Sequence, residues 1–153
     1  MEITEPPSNL MNILMVRPEG GVVIFMFIVL VLLLLSALIS SAESAFFSLS
    51  PQETNQIKQE NSSTSKLIID LLNMPNELLA TILITNNFLN VGIVILSSFI
   101  INYFFPFADN YFKFFLEVIG ITLLILLWGE VIPKIFAVKN PTKVSKIMAR
   151  PLY

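Results

Sequence analysis

The sequence predicts an all-α membrane protein: three transmembrane helices, short cytoplasmic helices between the first two, and one more helix after the third. Three observations carry that prediction. Apolar residues make up 55% of the 153 positions and charged ones 13%, with a mean hydropathy of +0.79, far on the apolar side of soluble chains. The apolar residues are gathered into runs, and neither Gly20 to Ala42 nor Leu78 to Ala108 contains a charge. A third run, 114–138, is apolar apart from Glu117, Glu130 and Lys134. A spanning helix takes about 20 mostly apolar residues. Transmembrane helices are therefore expected at about 22–44, 78–101 and 114–138, after an extracytoplasmic N-terminal segment over 1–21.

The first run ends in SALISSAESA, small residues of the kind a signal peptidase accepts. It is nevertheless longer than the ~7–15-residue core of a secretory signal, and a polar, slightly acidic segment precedes it. An uncleaved anchor is the expectation. Orientation follows from the basic residues, which stay on the cytoplasmic side. Only Arg17 precedes the first span and only Lys113 lies near the second connection. Lys58 and Lys66 lie in the first connection, and Lys134, Lys139, Lys143, Lys146 and Arg150 lie at the end. The reading is a multi-pass protein of the cell inner (plasma) membrane, N-terminus outside, with residues 46–76 and the C-terminus inside.

The connections carry local helix signals. SPQE at Ser50–Glu53 places a capping Ser, a first-turn Pro and a Glu at the third position, a capping-box pattern that predicts a short helix to about Glu60. NSSTS is expected to break it, KLIIDLLNM to start another helix, and Pro75 to end that one. INYFFPFADN reads as an aromatic turn suited to the outer interface. In KNPTK, Asn140 is expected to cap a final helix that Pro141 opens.

The chain has no Cys and no His. Disulfides, thiolate sites and imidazole ligands are excluded, and so is the usual base of serine hydrolases. With five glycines there is no glycine-rich phosphate loop. No enzyme, catalytic residue, resident cofactor or nucleic-acid partner is expected. A metal site must be built from oxygens, which suits Mg²⁺, Ca²⁺ or Na⁺.

Polar residues inside the spans are the candidates. Ser36, Ser40 and Ser44 recur every four residues, with Glu43 beside them. Asn86 and Asn90 are one turn apart on one face, with Ser97 two turns on. Glu130 stands in the third span. For the serines, packing between helices is the simpler reading. Two asparagines are harder to explain that way, because lipid offers their amides no partners. An intramembrane glutamate is a functional hypothesis by default; the competing reading is an interfacial Glu130 paired with Lys134, four residues on. Pro133 has no N–H for the carbonyl four residues back, which belongs to Gly129. The expectation is a kink that exposes the Gly129 carbonyl beside Glu130, as discontinuous membrane helices do at cation sites.

LISSAESAFFSLSP, LLATILITNNFLNVGIVI and GEVIPKIFAVKNP together resemble the transmembrane domain of the CNNM/CorC magnesium transporters, over 22–153 and in the same order, nearest the gliding-motility-associated bacterial branch. The resemblance implies Mg²⁺ export coupled to Na⁺ entry by a homodimer of three-helix protomers, each with a juxtamembrane helix from about 141. It implies an ion pocket at positions matching Ser40, Asn86, Asn90, Gly129 and Glu130, with Pro133 shaping the last helix and Glu43 a looser match. It also implies a cytosolic nucleotide-binding CBS module beyond Tyr153, so that a fragment of a longer protein is expected.

The alternative function is a non-transporting membrane scaffold or accessory protein of a motility or secretion complex, its polar residues only holding helices together. Lys139, Lys143, Lys146 and Arg150 fall on one face of the last helix, with Val144, Ile147 and Met148 off that line. The stripe suits anionic lipid at the inner surface.

Overall fold

The computed structural model describes residues 18–153, so the expected segment 1–21 lies almost wholly outside the described residues. The described residues form six helices, three long and three short, and no strand occurs among them. The long helices are α1 (Pro18–Ser48), α4 (Pro75–Phe104) and α5 (Asn110–Lys139), and all three are long and apolar enough to cross a membrane. At about 1.5 Å per residue, thirty-residue α4 and α5 reach ~45 Å, beyond the ~30 Å hydrocarbon layer. The short helices α2 (Pro51–Gln59), α3 (Ser63–Asn73) and α6 (Pro141–Leu152) gather at one end.

Local chemistry explains the boundaries. Ser50 Oγ accepts the Glu53 N–H at 3.2 Å, and Glu53 Oε2 accepts the Ser50 N–H at 2.9 Å, closing the capping box that starts α2. NSSTS does more than break a helix. Asn61 adopts φ 46°, a left-handed conformation that Asn tolerates, and Ser62 then caps α3, so α3 begins at Ser63, inside this stretch. Pro75 opens α4 as much as it ends α3. In the aromatic link, Asp109 caps α5 by accepting the Phe112 N–H at 2.7 Å. Pro141 opens α6, but Asn140 makes no side-chain cap. Instead its main-chain carbonyl accepts the Val144 N–H.

α5 departs from a regular helix. It is π-helical over Leu116–Ile121 and again over Ile125–Val131. The Ile132 N–H reaches the Leu127 carbonyl, five residues back. The chain stays helical through Pro133, with Val131 and Ile132 in the right-handed region. The expected kink is thus a widened turn, and each of the two wide segments contains one of the helix's acids.

α1 is the axis of the packing, touching α4, α5 and α6. The main apolar core lies at the short-helix end, where Phe46 of α1 meets Ile57, Ile68, Ile82, Ala137 and Met148. α6 presents Val144, Met148 and Ala149 to this core and leaves Lys143, Ile147 and Arg150 exposed. Two polar contacts pin it: Thr142 Oγ1 donates to Glu53 Oε1 at 3.3 Å, and Lys146 Nζ pairs with Glu60 Oε1 at 2.6 Å. Along the spans the pattern inverts. Phe27 and Phe88 are 65% and 79% exposed, whereas Ser36 and Ser40 are fully buried.

Candidate cation site between the spans

Three helices each contribute to one polar network. From α1, Ser36 Oγ faces both asparagine oxygens of α4, at 2.9 Å to Asn86 Oδ1 and 3.1 Å to Asn90 Oδ1. Its single proton serves one of them at a time. From the other side, Asn86 Nδ2 and Asn90 Nδ2 both donate to Glu130 Oε1 of α5, at 3.3 and 3.1 Å. The one-turn spacing of the asparagines makes this convergence possible.

Among the described residues Glu130 therefore meets amide donors and no cationic side chain. Lys134 does not pair with it, contrary to the alternative raised for an interfacial glutamate. Its Nζ lies 2.9 Å from Glu43 Oε2, tying α5 to α1. A Lys134–Glu130 pair would run along the surface of one helix. The Glu43 pair crosses between helices and leaves the Glu130 carboxylate to the asparagines.

Gly129 is buried for a different reason from the one its neighbour Pro133 suggested. A Cβ at this position would stand 3.1 Å from Ser36 Oγ and 3.6 Å from Leu33 Cδ1. The missing side chain lets α1 and α5 approach closely enough for Ser36 to enter the network. One turn along, Ser41 Oγ donates to the Ala37 carbonyl at 2.7 Å and lies 3.4 Å from the Pro133 carbonyl.

Among the expected site residues, the network joins Asn86, Asn90 and Glu130, with Gly129 beside them. Ser40 is one turn from Ser36, fully buried, and its Oγ has no hydrogen-bond partner. Ser145 in α6 has a buried, unpartnered hydroxyl as well. Ser36, which the four-residue repeat with Ser40 marks only as a packing serine, joins the network. Beside the network, a groove of about 240 Å³ is lined by Asn90, Thr122, Ile125, Leu126 and Glu130.

Chemically, the network offers one carboxylate, two amides and one buried hydroxyl, all with hard oxygen. Among the described residues no three acidic side chains cluster, which sets it apart from a dedicated multi-carboxylate cage. One carboxylate with neutral oxygens and water suits Mg²⁺, which sheds its hydration reluctantly.

Comparison with known proteins bears on this arrangement. The family model described as cyclin M transmembrane N-terminal domain (CNNM) matches residues 27–153. The chain is also similar to a Synechocystis protein described as UPF0053 protein sll1254, 27% identical over 118 residues, which cover 76% of this chain and 33% of the relative. It thus spans about a third of the length of that relative.

Proposed function

The chain belongs to the cyclin M transmembrane domain family, a transporter-type family associated with metal ions, and from that premise we propose that it carries Mg²⁺ through the pocket around Glu130. It is a multi-pass membrane domain. The observation that carries the proposal is an intramembrane carboxylate held by Asn86 and Asn90 at 3.3 and 3.1 Å, with no basic partner among the described residues. An ionised carboxylate in the bilayer is costly unless a positive charge offsets it. Glu130 would supply that charge balance to the cargo. Asn86 and Asn90, whose amide nitrogens face Glu130 and whose oxygens face Ser36, would turn their amides to present oxygen to the ion, with Ser36 and Ser40 adding hydroxyl oxygen and Gly129 main-chain oxygen.

In this reading the protein works as a homodimer in the inner membrane, with its N-terminus outside. Na⁺ entry drives export, a CBS module of the longer protein regulates it, and the basic face of α6 rests on anionic lipid. The distribution of Lys and Arg supports that orientation.

Calorimetric titration of Mg²⁺ into the purified protein tests the site. Wild type should bind, and Glu130→Gln, which keeps an oxygen but removes the charge, should bind at least tenfold more weakly, as expected for losing a charged partner worth ~1.5–3 kcal/mol. The scaffold alternative expects no Mg²⁺ binding and a neutral or stabilising Glu130→Gln, because the network would then only join helices. Equal isotherms for the two proteins would reject the Glu130 site.

A further inference from the structure

The third span contains a second acid, Glu117, which the network around Glu130 does not use. Glu117 lies beyond the exposed aromatic residues Tyr111, Phe112, Phe114 and Phe115, and its neighbours Val118 and Ile119 are exposed apolar side chains. Measured from Tyr111 at about 1.5 Å per residue, it is ~9 Å farther along the helix. It thus lies within a helix long and apolar enough to cross a membrane, past the aromatic residues that open it.

Its surroundings parallel those of Glu130. Glu117 Oε1 accepts the Ser98 hydroxyl of α4 at 2.9 Å. One turn on, Asn102 Nδ2 donates to the Ser98 carbonyl at 2.9 Å. Lys113 precedes Glu117 by one turn but points elsewhere, with its Nζ 3.5 Å from the Pro106 carbonyl. Asp109 is engaged in capping α5. No ion pair involves Glu117 among the described residues.

The backbone makes the parallel closer. On a regular α-helix, at about 100° per residue, Glu117 and Glu130 would stand roughly 140° apart, on different faces. In the structure both carboxylates reach α4. The helix is π-helical at Leu116–Ile121 and Ile125–Val131, and each segment holds one of the acids. Wide turns of this kind recur at functional sites because they re-aim side chains.

We propose that Glu117 and Ser98 form a second cation station, nearer the aromatic end, which the cargo occupies on its way to or from Glu130. The station rests on the transport reading above. One carboxylate and one hydroxyl leave most of the coordination shell to water, so this station binds a hydrated ion more weakly than the inner pocket.

Mg²⁺ titrated into purified wild type should give two classes of binding. Glu117→Gln should weaken the low-affinity class about tenfold or more, the loss of one charged partner, and leave the other class unchanged. Glu130→Gln should do the reverse. Ser98→Ala keeps the charge and removes only the donor. It should lower the weak class by a smaller factor, and it decides the matter if Glu117→Gln does not fold, as judged by helicity and elution volume. A wild-type isotherm of one class, unchanged in Ser98→Ala and Glu117→Gln, overturns the station. Loss of the weak class in Glu117→Gln with no effect of Glu130→Gln would leave the station standing and reject the Glu130 pocket.

Discussion

The two ends of this molecule follow opposite rules of burial. At the short-helix end, Phe46, Ile57, Ile68 and Ile82 are the most enclosed side chains, and Lys58, Lys66 and Arg150 are exposed. Along the spans Ser36, Ser40 and Ser97 are enclosed together with Ile93, while Phe27, Leu34 and Phe88 stand outward. Water drives the first arrangement, because burying apolar area there removes it from water. Lipid accepts apolar surface freely and polar surface poorly, so the spans turn their serines and asparagines inward. The same observation, a buried side chain, therefore reports stability at one end and hydrogen bonding or ligand chemistry at the other.

The largest expected effect tests the water-driven half. Phe46 is 1% exposed in the apolar core, and Phe46→Ala should cost about 3–5 kcal/mol through lost transfer energy and a residual cavity. Phe27 has the same side chain on the same helix but is 65% exposed. Phe27→Ala should change stability little, because its ring faces lipid in either state. Unfolding of the two variants in detergent micelles, followed by helicity, checks the pair. Comparable losses would break the comparison.

Two glycines of α5 sharpen it at the next level. A methyl group added at Gly129 meets Ser36 Oγ at 3.1 Å, and that hydroxyl is fully buried and held by two asparagines. It cannot give way without pulling the network apart. Gly129→Ala should cost about 1–3 kcal/mol by overpacking and weaken Mg²⁺ binding with it. At Gly120 the nearest atom is Leu116 Cδ2 at 4.0 Å. Gly120→Ala should be neutral or stabilising by up to ~1 kcal/mol, from helix propensity alone. A neutral Gly129→Ala would show that α1 and α5 are not in the close contact the network needs.

Much of this was legible in the residues. The charge-free runs gave the spans, and Ser50, Pro51 and Glu53 gave the start of α2, because those signals are local. Asn86, Asn90 and Glu130 stood out because polar groups in an apolar run need partners. What stayed hidden depends on tertiary contact. A membrane serine can satisfy itself on its own helix, as Ser41 does on the Ala37 carbonyl, so nothing in the repeat separated Ser36 as the one that joins the network. Lys134 had a near acid in sequence and took a distant one, Glu43, since a pair between helices ties two elements together. Pro133 signalled an irregularity beside the second π segment but not its form, and the first, Leu116–Ile121, has no proline to mark it. Asn140 had the composition of a cap and lacked the geometry, its φ and ψ being −138° and 55°.

The smallest expected effect concerns the contacts that hold α6 at the water-exposed end. Hydrogen bonds from the Ser50 main chain and hydroxyl hold the Glu53 carboxyl below the ordinary glutamate value of 4.5, with Thr142 adding to them. The Lys146 ammonium, through its hydrogen bond and its charge, does the same for Glu60. A carboxyl whose folded value is depressed contributes stability that is present above its unfolded value and lost as pH falls through the folded one. The attachment of α6 should therefore be unchanged above about pH 5 and weaken progressively below 4.5. Both groups are open to solvent, so salt should screen the Glu60–Lys146 part and leave the capping box largely intact. Protease sensitivity of the 140–153 segment, measured against pH at low and high salt, reads this directly. Glu60→Gln should flatten the acid limb at low salt and behave like wild type at high salt. An acid limb unchanged by Glu60→Gln at low salt would mean that the Glu60–Lys146 pair adds nothing and that Glu53, through its capping box and Thr142, carries the whole acid dependence.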